Sequence, residues 1–498
     1  MDYQQVTRHL EIFSQQTSKY LSNRSNLEAI GKITAISVAT YVVVDKLYGA
    51  FFGPLSSLPG PLWSKFITFP KSIYNRPSGT SYQSILAFHD KYGEIVRLGP
   101  ELISVASKDL LKQVLITDDF PKGKLYDAFQ ISPAFSIKYI NALEPFMHKV
   151  TESLIYKIDS DIAKNNDELN YGTVDIWGLA QRLALDVIGE TAFGQTFNMV
   201  ENNDHFVPTA ISEEMRATAI SILYPTLAKL FLKNGGKADP KLKDFMIGVI
   251  QNRLQSSKEA GDKQRKDILQ FLINVQQAAD ADDTLTIDSI ISETTLFLIA
   301  GSETTSNSIG FVFINLMRNP KNLKKLYKEL DTIEFEQGQI VFHHEQLKHL
   351  PYLNAVINET LRVDSIAAAG LMRRAPKDTV LDGRIFVPKD TTVICSLYHA
   401  QMNSKYWSHP EEFRPERWLD QDDEVNDLEA FFAWSAGTRN CIGKNFALQE
   451  MRILIATMLK TYDIQPIEQE MIGSHERRQF ITLTLPNNSF NIKIKRRS

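Results

Sequence analysis

One short stretch near the C-terminus constrains this chain more than any other. Residues 434–443 have the sequence W-S-A-G-T-R-N-C-I-G. Cys441, one of two cysteines in the chain, lies between Gly437 and Gly443, with Arg439 two residues before it. Glycine adopts backbone conformations that other residues avoid, so the chain can turn tightly here and approach a bulky group.

The residues after this stretch predict a helix from Lys444 to about Ala456. Cys441 would then lie just ahead of a helix N-terminus, where unpaired amides and the helix dipole stabilise a thiolate. Haem iron is one metal that accepts a single protein thiolate. A buried, inert cysteine in a turn is the alternative.

The longest helical pattern, residues 286–317, contains the polar sequence Ala300-Gly-Ser-Glu-Thr-Thr305. A glycine inside a helix costs roughly 1 kcal/mol relative to alanine, so Gly301 indicates a close approach to another group. An acid and a hydroxyl at Glu303 and Thr304 could relay protons into a buried site. A solvated polar patch is the alternative interpretation.

Two further motifs lie between that helix and the cysteine. Glu359 and Arg362 are i, i+3 neighbours in a predicted helix and can form a charged pair, although an exposed pair of this kind contributes little stability. Arg417 lies downstream in the sequence P-E-R-W.

Together these four segments resemble, in order and spacing, motifs of the cytochrome P450 monooxygenases of the microsomal, fungal type. The family patterns are F-x-x-G-x-R-x-C-x-G, [A/G]-G-x-[D/E]-T, E-x-x-R and P-E-R-[F/W]. Trp434 stands where the family usually has Phe, and its indole N–H could donate near the sulfur. The resemblance implies a mainly α (α+β) fold with a long central helix over the haem, a small β-sheet near the N-terminus and an N-terminal membrane anchor.

The resemblance also implies roles for individual residues. Cys441 would be the axial ligand of the haem iron, and Thr304 and Glu303 would act in oxygen activation and proton delivery, with Thr305 as a secondary candidate. Arg439 and Arg373 would bind the haem propionates, which suit guanidinium donors, and Arg374 is nearly as plausible. The residues implied to lie at the haem are Cys441, Arg439, Arg373, Ala300, Gly301, Trp434 and Gly443. A buried triad that fixes the loop before the cysteine would consist of Glu359, Arg362 and Arg417.

One family feature is missing from the sequence. An early helix with the pattern [W/H]-x-x-x-R normally supplies a further cation, but no tryptophan lies between Trp63 and Trp177. Either Lys122 or Lys124 substitutes, or the sequence is a shortened form, for instance from a mis-joined coding segment. We favour the second interpretation.

The N-terminal part of the chain divides into three segments before the catalytic domain. Residues 1–28 are polar, residues 29–52 are predicted as a membrane anchor, and residues 53–62 form a proline-rich hinge that ends in L-P-G-P. Residues 63–498 would form the haem-thiolate domain. A buried helix is the alternative for the apolar segment. By resemblance, the protein would lie in the endoplasmic reticulum membrane with this domain facing the cytosol, and the lack of a disulfide framework agrees with a reducing compartment.

The implied activity is hydroxylation of a lipophilic small molecule by O2, with haem b as cofactor and electrons passed from NADPH by cytochrome P450 reductase. The net charge of −4 gives no reason to expect a nucleic-acid partner. Two alternatives remain open: an isomerase or dehydratase that needs no reductase, and an inactive, haem-poor shortened form. Predicted substrate contacts lie at Tyr126–Phe129, Phe297, Ser365–Leu371 and Phe480–Thr482.

Overall fold

Helices dominate the computed structural model, as the sequence predicts. The structure describes residues 24–68, 79–122, 137–202, 206–207, 210, 240–260, 267–278, 287–419, 426–479 and 481–497. In chain order the helices are α1 (Arg24–Phe51), α2 (Ser81–Tyr92), α3 (Lys108–Lys112), α4 (Ile137–Lys164), α5 (Ile176–Ile188), α6 (Pro240–Ala260), α7 (Ile268–Ala278), α8 (Ile287–Arg318), α9 (Pro320–Leu330), α10 (His344–Leu347), α11 (Pro351–Val363), α12 (Leu397–Gln401), α13 (Lys444–Thr461) and α14 (Glu468–Gly473).

The strands form small sheets beside the helices. In chain order they are β1 (Ile95–Gly99), β2 (Leu102–Val105), β3 (Gly172–Asp175), β4 (Leu371–Arg374), β5 (Thr379–Leu381), β6 (Ile385–Val387), β7 (Thr392–Cys395), β8 (Tyr462–Pro466), β9 (Arg478–Gln479), β10 (Leu483–Thr484) and β11 (Asn491–Arg496). A four-stranded sheet has the order β1-β2-β7-β4, and a three-stranded sheet has the order β3-β11-β8. The predicted hairpin around Gly99 and Pro100 is β1–β2, which pair antiparallel.

The 32-residue helix α8 runs through the largest hydrophobic core and packs most closely against α5. Two glycines permit this approach. A Cβ on Gly301 would lie 2.6 Å from the Cδ1 atom of Ile188, and a Cβ on Gly310 would lie 2.3 Å from the ring of Trp177. The helix begins and ends within one residue of the predicted bounds. Its position is fixed by the close contact of these two glycines with α5.

The N-terminal helix α1 differs from the other helices in what surrounds it. Its segment Gly31–Phe51 is long and apolar enough to cross a membrane by length and composition, and only 6% of its most apolar window is buried. Beyond it, the hinge is tied to β1, because the Arg97 amide donates to the Pro59 carbonyl (2.8 Å) and the Arg97 guanidinium donates to the Leu55 carbonyl (3.1 Å). The apolar helix thus joins the domain through a segment that is itself docked on the sheet. Of the predicted polar segment, residues 1–23 lie outside the described residues.

Candidate active site

The loop before Cys441 turns through two residues with positive φ. These are Ser435 (φ 60°) and Gly437 (φ 73°), a region that glycine adopts without the cost of a side chain. A Cβ on Gly437 would lie 1.8 Å from the Leu115 carbonyl oxygen, so the loop also packs against the segment after α3. The Cys441 amide closes the turn by donating to the Trp434 carbonyl at 2.8 Å. The tight turn predicted at the first glycine is therefore present.

The Cys441 sulfur lies at the start of α13, which begins at Lys444 with Gly443 as its N-cap. It accepts hydrogen bonds from the backbone amides of Gly443 and Lys444. Burial among the surrounding protein atoms outweighs these donors and the nearby Lys122 ammonium, so the pKa of the Cys441 thiol is raised, although the residue as a whole is exposed. A coordinated metal would deprotonate such a thiol outright. The donor set therefore suits a metal-bound thiolate.

The second glycine of the loop has a different character from the first. Gly443 has φ −80°, which any residue can adopt, and a Cβ there would meet no described atom within 4 Å. Neither the turn nor packing against the described protein requires glycine at this position. A bulky group lying against the loop would require it, and this agrees with a haem beside Cys441.

Three cationic side chains converge on the cysteine loop. Arg373 is buried and donates to the Ser435 hydroxyl at 3.3 Å, and its backbone pairs with that of Lys122. The pKa of Lys122 is lowered, first by burial and then by the Arg373 guanidinium, while the Cys441 sulfur raises it and Arg439 lowers it further. The Arg439 Nε atom is buried and has no hydrogen-bond partner among the described residues. Such a set of cations suits the two carboxylates of a haem.

Arg374, the next residue along β4, lies in a different environment. Its Nη2 atom is 2.6 Å from the Asp390 carboxylate, and its side chain is 34% exposed. The two adjacent arginines are thus separated by the alternation of side chains along a strand. Only Arg373 faces the loop that carries Cys441.

The predicted triad is assembled and fully buried. Arg362 donates to both carboxylate oxygens of Glu359, at 2.9 and 2.8 Å, and Arg417 donates to one of them at 3.1 Å. All three side chains are 0% exposed. The Trp418 indole donates to the same carboxylate at 3.1 Å, and so does the Arg414 amide at 2.9 Å.

Gln401 connects this triad to the cysteine loop, and sequence analysis missed it. Its buried amide nitrogen donates to the carbonyls of Leu361 and Arg362, both at 3.1 Å. Its oxygen accepts from the Phe432 amide at 3.0 Å, two residues before Trp434. No local pattern marks a glutamine whose partners lie 31 to 40 residues away in the chain.

The polar part of α8 carries an acid and a hydroxyl at consecutive positions. Burial raises the pKa of Glu303 to about 7, even though the Thr482 hydroxyl donates to its carboxylate. Its other oxygen, Oε2, is buried without a partner among the described residues. The Thr304 hydroxyl donates to the Ala300 carbonyl one turn earlier, at 2.6 Å, and Thr305 is buried. Near pH 7 Glu303 can therefore both hold and release a proton.

Two residues expected at the haem have other contacts in the structure. Gly301 meets Ile188 of α5, which explains the missing side chain without a cofactor. The Trp434 carbonyl oxygen accepts a hydrogen bond from the Cys441 amide. Their roles at a haem, and a role for the Trp434 indole near the sulfur, stay predictions.

Part of the predicted substrate region is brought together. The Leu483 amide donates to the Ile366 carbonyl at 2.9 Å, and Asn307 of α8 donates to the Leu483 carbonyl at 3.0 Å. Phe297 is buried on the same helix. Tyr126–Phe129, Phe480 and the alternative cation Lys124 lie outside the described residues.

Comparison with known proteins gives one family. The sequence model of cytochrome P450 matches residues 129–494. The chain is 31% identical to the cytochrome P450 monooxygenase FUS8 of Gibberella moniliformis, over 97% of this chain and 96% of the relative. It is also 31% identical to LUC2 of a Fusarium species, over 90% of both chains, and to acrD of Aspergillus aculeatus, over 85% of this chain and 88% of the relative. Both are named as cytochrome P450 monooxygenases.

Proposed function

The chain belongs to the cytochrome P450 family and is a haem-dependent monooxygenase, and we propose that it hydroxylates a lipophilic small molecule with electrons delivered from NADPH by a reductase. The observation that carries this proposal is the environment of the Cys441 sulfur. It accepts hydrogen bonds from two backbone amides at the start of α13 and lies beside Arg439, Arg373 and Lys122. These residues can hold a haem by both its iron and its carboxylates.

In this proposal Cys441 ligates the iron of haem b, and Arg439 and Arg373 bind the propionates. Lys122 supplies the third cation, which the family normally takes from the early arginine-bearing helix. Its position beside Arg373 and Cys441 favours substitution by Lys122 over a shortened, haem-poor chain. When bound, the haem supplies the reduction of dioxygen and the transfer of one oxygen atom to the substrate.

The protein itself supplies the protons. Glu303 has a pKa near 7 and an unpaired oxygen, so it can take up a proton from solvent and pass it inward. Thr304 carries its hydroxyl one residue further along the helix. Its oxygen can accept that proton while its own hydrogen, released from the Ala300 carbonyl, passes inward. This acid–hydroxyl pair favours a reductase-dependent monooxygenase over an isomerase or dehydratase, which needs no proton delivery for oxygen reduction.

The substrate is proposed to lie against α8 and the Ser365–Leu371 segment. That segment has the sequence S-I-A-A-A-G-L, so it is small and apolar. Small side chains leave room for a bulky apolar molecule such as a steroid, a terpenoid or a long acyl chain. We also propose that α1 anchors the protein in the endoplasmic reticulum membrane, with the catalytic domain in the cytosol and lipophilic substrates arriving from the lipid.

The test is turnover by the purified chain reconstituted with a fungal NADPH–cytochrome P450 reductase and a panel of steroids, terpenoids and fatty acids. We expect hydroxylated product that depends on both NADPH and the reductase. Thr304→Ala should keep consuming NADPH while product per NADPH falls by roughly 100-fold or more, the range typical of losing a group that transfers a proton. Thr294→Ala is the matched control, because the Thr294 hydroxyl makes the same kind of bond on α8, to the Ile290 carbonyl at 2.6 Å, and this variant should stay near the wild-type ratio. Conversion of a peroxide substrate without reductase, and unaffected by Thr304→Ala, would contradict the proposal.

A further inference from the structure

A second cluster of metal-binding side chains lies away from the cysteine loop. Glu144 and His148 are four residues apart on α4 and so share one face of that helix. His343, the N-cap of α10, is distant from both residues in the sequence but lies close to them in the fold. The three donor atoms lie within 4.8 Å of one another.

Two of the three distances in this cluster are close to those between ligands of a bound transition metal. The Glu144 Oε1 atom is 3.3 Å from His148 Nε2 and 3.0 Å from His343 Nδ1. Metal–ligand bonds of about 2.0–2.2 Å in a tetrahedral zinc site separate neighbouring ligand atoms by roughly 3.3 Å. Two imidazoles and one carboxylate are a ligand set that zinc accepts, with a fourth position for water.

The groups around the cluster are those that orient metal ligands. The second ring nitrogen of His343 lies 3.8 Å from the Glu336 carboxylate, which is too long for a hydrogen bond but places a negative charge behind the proposed ligand. Gln449 of α13 donates to Glu144 Oε2 at 3.1 Å, and the His344 amide donates to Oε1 at 3.0 Å.

Gln449 supplies an independent sign of a ligand. Its side chain is 1% exposed, and its Oε1 atom has no partner among the described residues. The same amide is bonded to Glu144, so this acceptor lies beside the cluster and can receive a hydrogen bond from a metal-bound water. The His343 side chain is 34% exposed, which leaves a path for an ion to enter.

We propose that Glu144, His148 and His343 bind a divalent transition-metal ion, Zn²⁺ being the best match. The ion cross-links α4 to the start of α10, and through Gln449 it is coupled to α13, the helix that follows Cys441. The site is structural, is separate from the haem, and does not depend on the activity proposed above. Hard ions such as Mg²⁺, which require oxygen ligands, do not fit it.

The experiment is calorimetric titration of the full, untagged chain, purified with its haem in detergent, with ZnCl2 and separately with MgCl2. We expect one Zn²⁺ per chain and no Mg²⁺ binding. His343→Ala should weaken Zn²⁺ binding more than about 100-fold, because loss of an outer partner alone weakens metal binding about 10–100-fold. Gln449→Ala should weaken Zn²⁺ binding by only about 10–100-fold.

His349→Ala is the matched control, since this exposed histidine lies six residues after His343 in the same segment. It should bind Zn²⁺ like the wild type. His148→Ala and Glu144→Gln should behave like His343→Ala, and if either fails to fold, the partly exposed His343 position decides the outcome. Equal Zn²⁺ affinity in His343→Ala and His349→Ala, or no preference of the wild type for Zn²⁺ over Mg²⁺, would overturn the proposal. Binding of Zn²⁺ at the Cys441 thiol would survive in His343→Ala and so counts against it.

Discussion

Two clusters of charge are linked to the loop that carries Cys441, and they are built on opposite principles. In the triad, the Glu359 carboxylate is shared by Arg362 and Arg417, and further donors saturate its oxygens. In the cluster around the cysteine, the interacting charges are the cations Lys122, Arg373 and Arg439 together with the sulfur. The first cluster pairs opposite charges, whereas the second brings together several cations that an anionic ligand would neutralise.

The difference separates a structural element from a binding site. A buried ion pair whose members satisfy each other holds the backbone in place but offers nothing to a ligand. Cations held close together in a partly buried site repel each other unless an anion binds between them. The triad is connected to the loop through Gln401 and Phe432, and we propose that the cationic cluster binds the carboxylates of the cofactor. Substitutions in the two clusters should therefore have different consequences.

The largest effect is expected from removal of the triad carboxylate. Glu359→Ala leaves two guanidinium groups buried without their shared partner, and breaking a buried pair in this way costs about 3–5 kcal/mol. The free energy of unfolding from urea denaturation measures it. Arg384→Ala, which removes an exposed pair with Asp382, should cost less than about 1 kcal/mol. Equal losses of unfolding free energy in the two variants would show that the triad contributes no more to stability than a surface ion pair.

A pH-dependent effect is expected at Glu303, whose buried carboxyl belongs to neither cluster. The pKa of Glu303 in the folded protein is about 7, above the ordinary value of 4.5. The contribution of this carboxyl to the free energy of unfolding is therefore complete below about pH 4.5 and is lost as the pH rises through 7. Glu303→Gln removes this dependence. Relative to the wild type, the variant should gain up to about 3 kcal/mol in unfolding free energy between pH 5 and pH 8.

Urea denaturation at the two pH values measures this gain. Glu411→Gln makes the same substitution at an exposed position and is the control. A Glu303→Gln variant that follows the wild-type pH dependence would contradict a raised pKa for this carboxyl.

A smaller effect, confined to cofactor retention, is expected from the cationic cluster. Arg439→Ala removes a charged donor worth about 1.5–3 kcal/mol to a carboxylate, which corresponds to roughly a 10–100-fold loss of haem affinity. Transfer of haem to excess apomyoglobin measures it. Arg374→Ala, on the neighbouring side of the strand and paired with Asp390, should release haem at the wild-type rate. Identical rates in both variants would remove Arg439 from the propionate site.

The smallest effect on folding is expected at Gly443. Alanine there meets no described atom within 4 Å and the backbone is ordinary, so Gly443→Ala should change the unfolding free energy of the haem-free chain by less than about 1 kcal/mol. Haem retention should nevertheless fall, because the new methyl group would face the cofactor. At Gly437 the same change meets the Leu115 carbonyl and should destabilise the chain itself. Unchanged haem retention in Gly443→Ala would contradict a haem lying against this glycine.

The parts of this molecule that the sequence predicted are those encoded by neighbours in the chain. Helix α13 after Cys441, the helical spacing of Glu359 and Arg362, and the hairpin β1–β2 all follow from short patterns of residues. The family resemblance added Arg417 to the triad, because its motif is contiguous.

Contacts between distant segments left no such pattern. Thr482 bonds to Glu303 from 179 residues away, and His343 meets Glu144 across 199 residues. The glycine at position 301 was correctly interpreted as a close approach, but its contact is the Ile188 side chain of α5. Sequence pattern indicates that something must lie close, and only the packing of helices identifies what it is.

The most direct test of the central claim is the absorption spectrum of the purified chain after reduction and exposure to carbon monoxide. If Cys441 ligates a haem held by the cationic cluster, the Soret band will show the strong red shift of a thiolate-ligated haem. Cys441→Ala will abolish the shift, and Cys395→Ala, at the buried second cysteine, will keep it. A wild-type chain without this band, or a Cys441→Ala variant that retains it, would contradict the account.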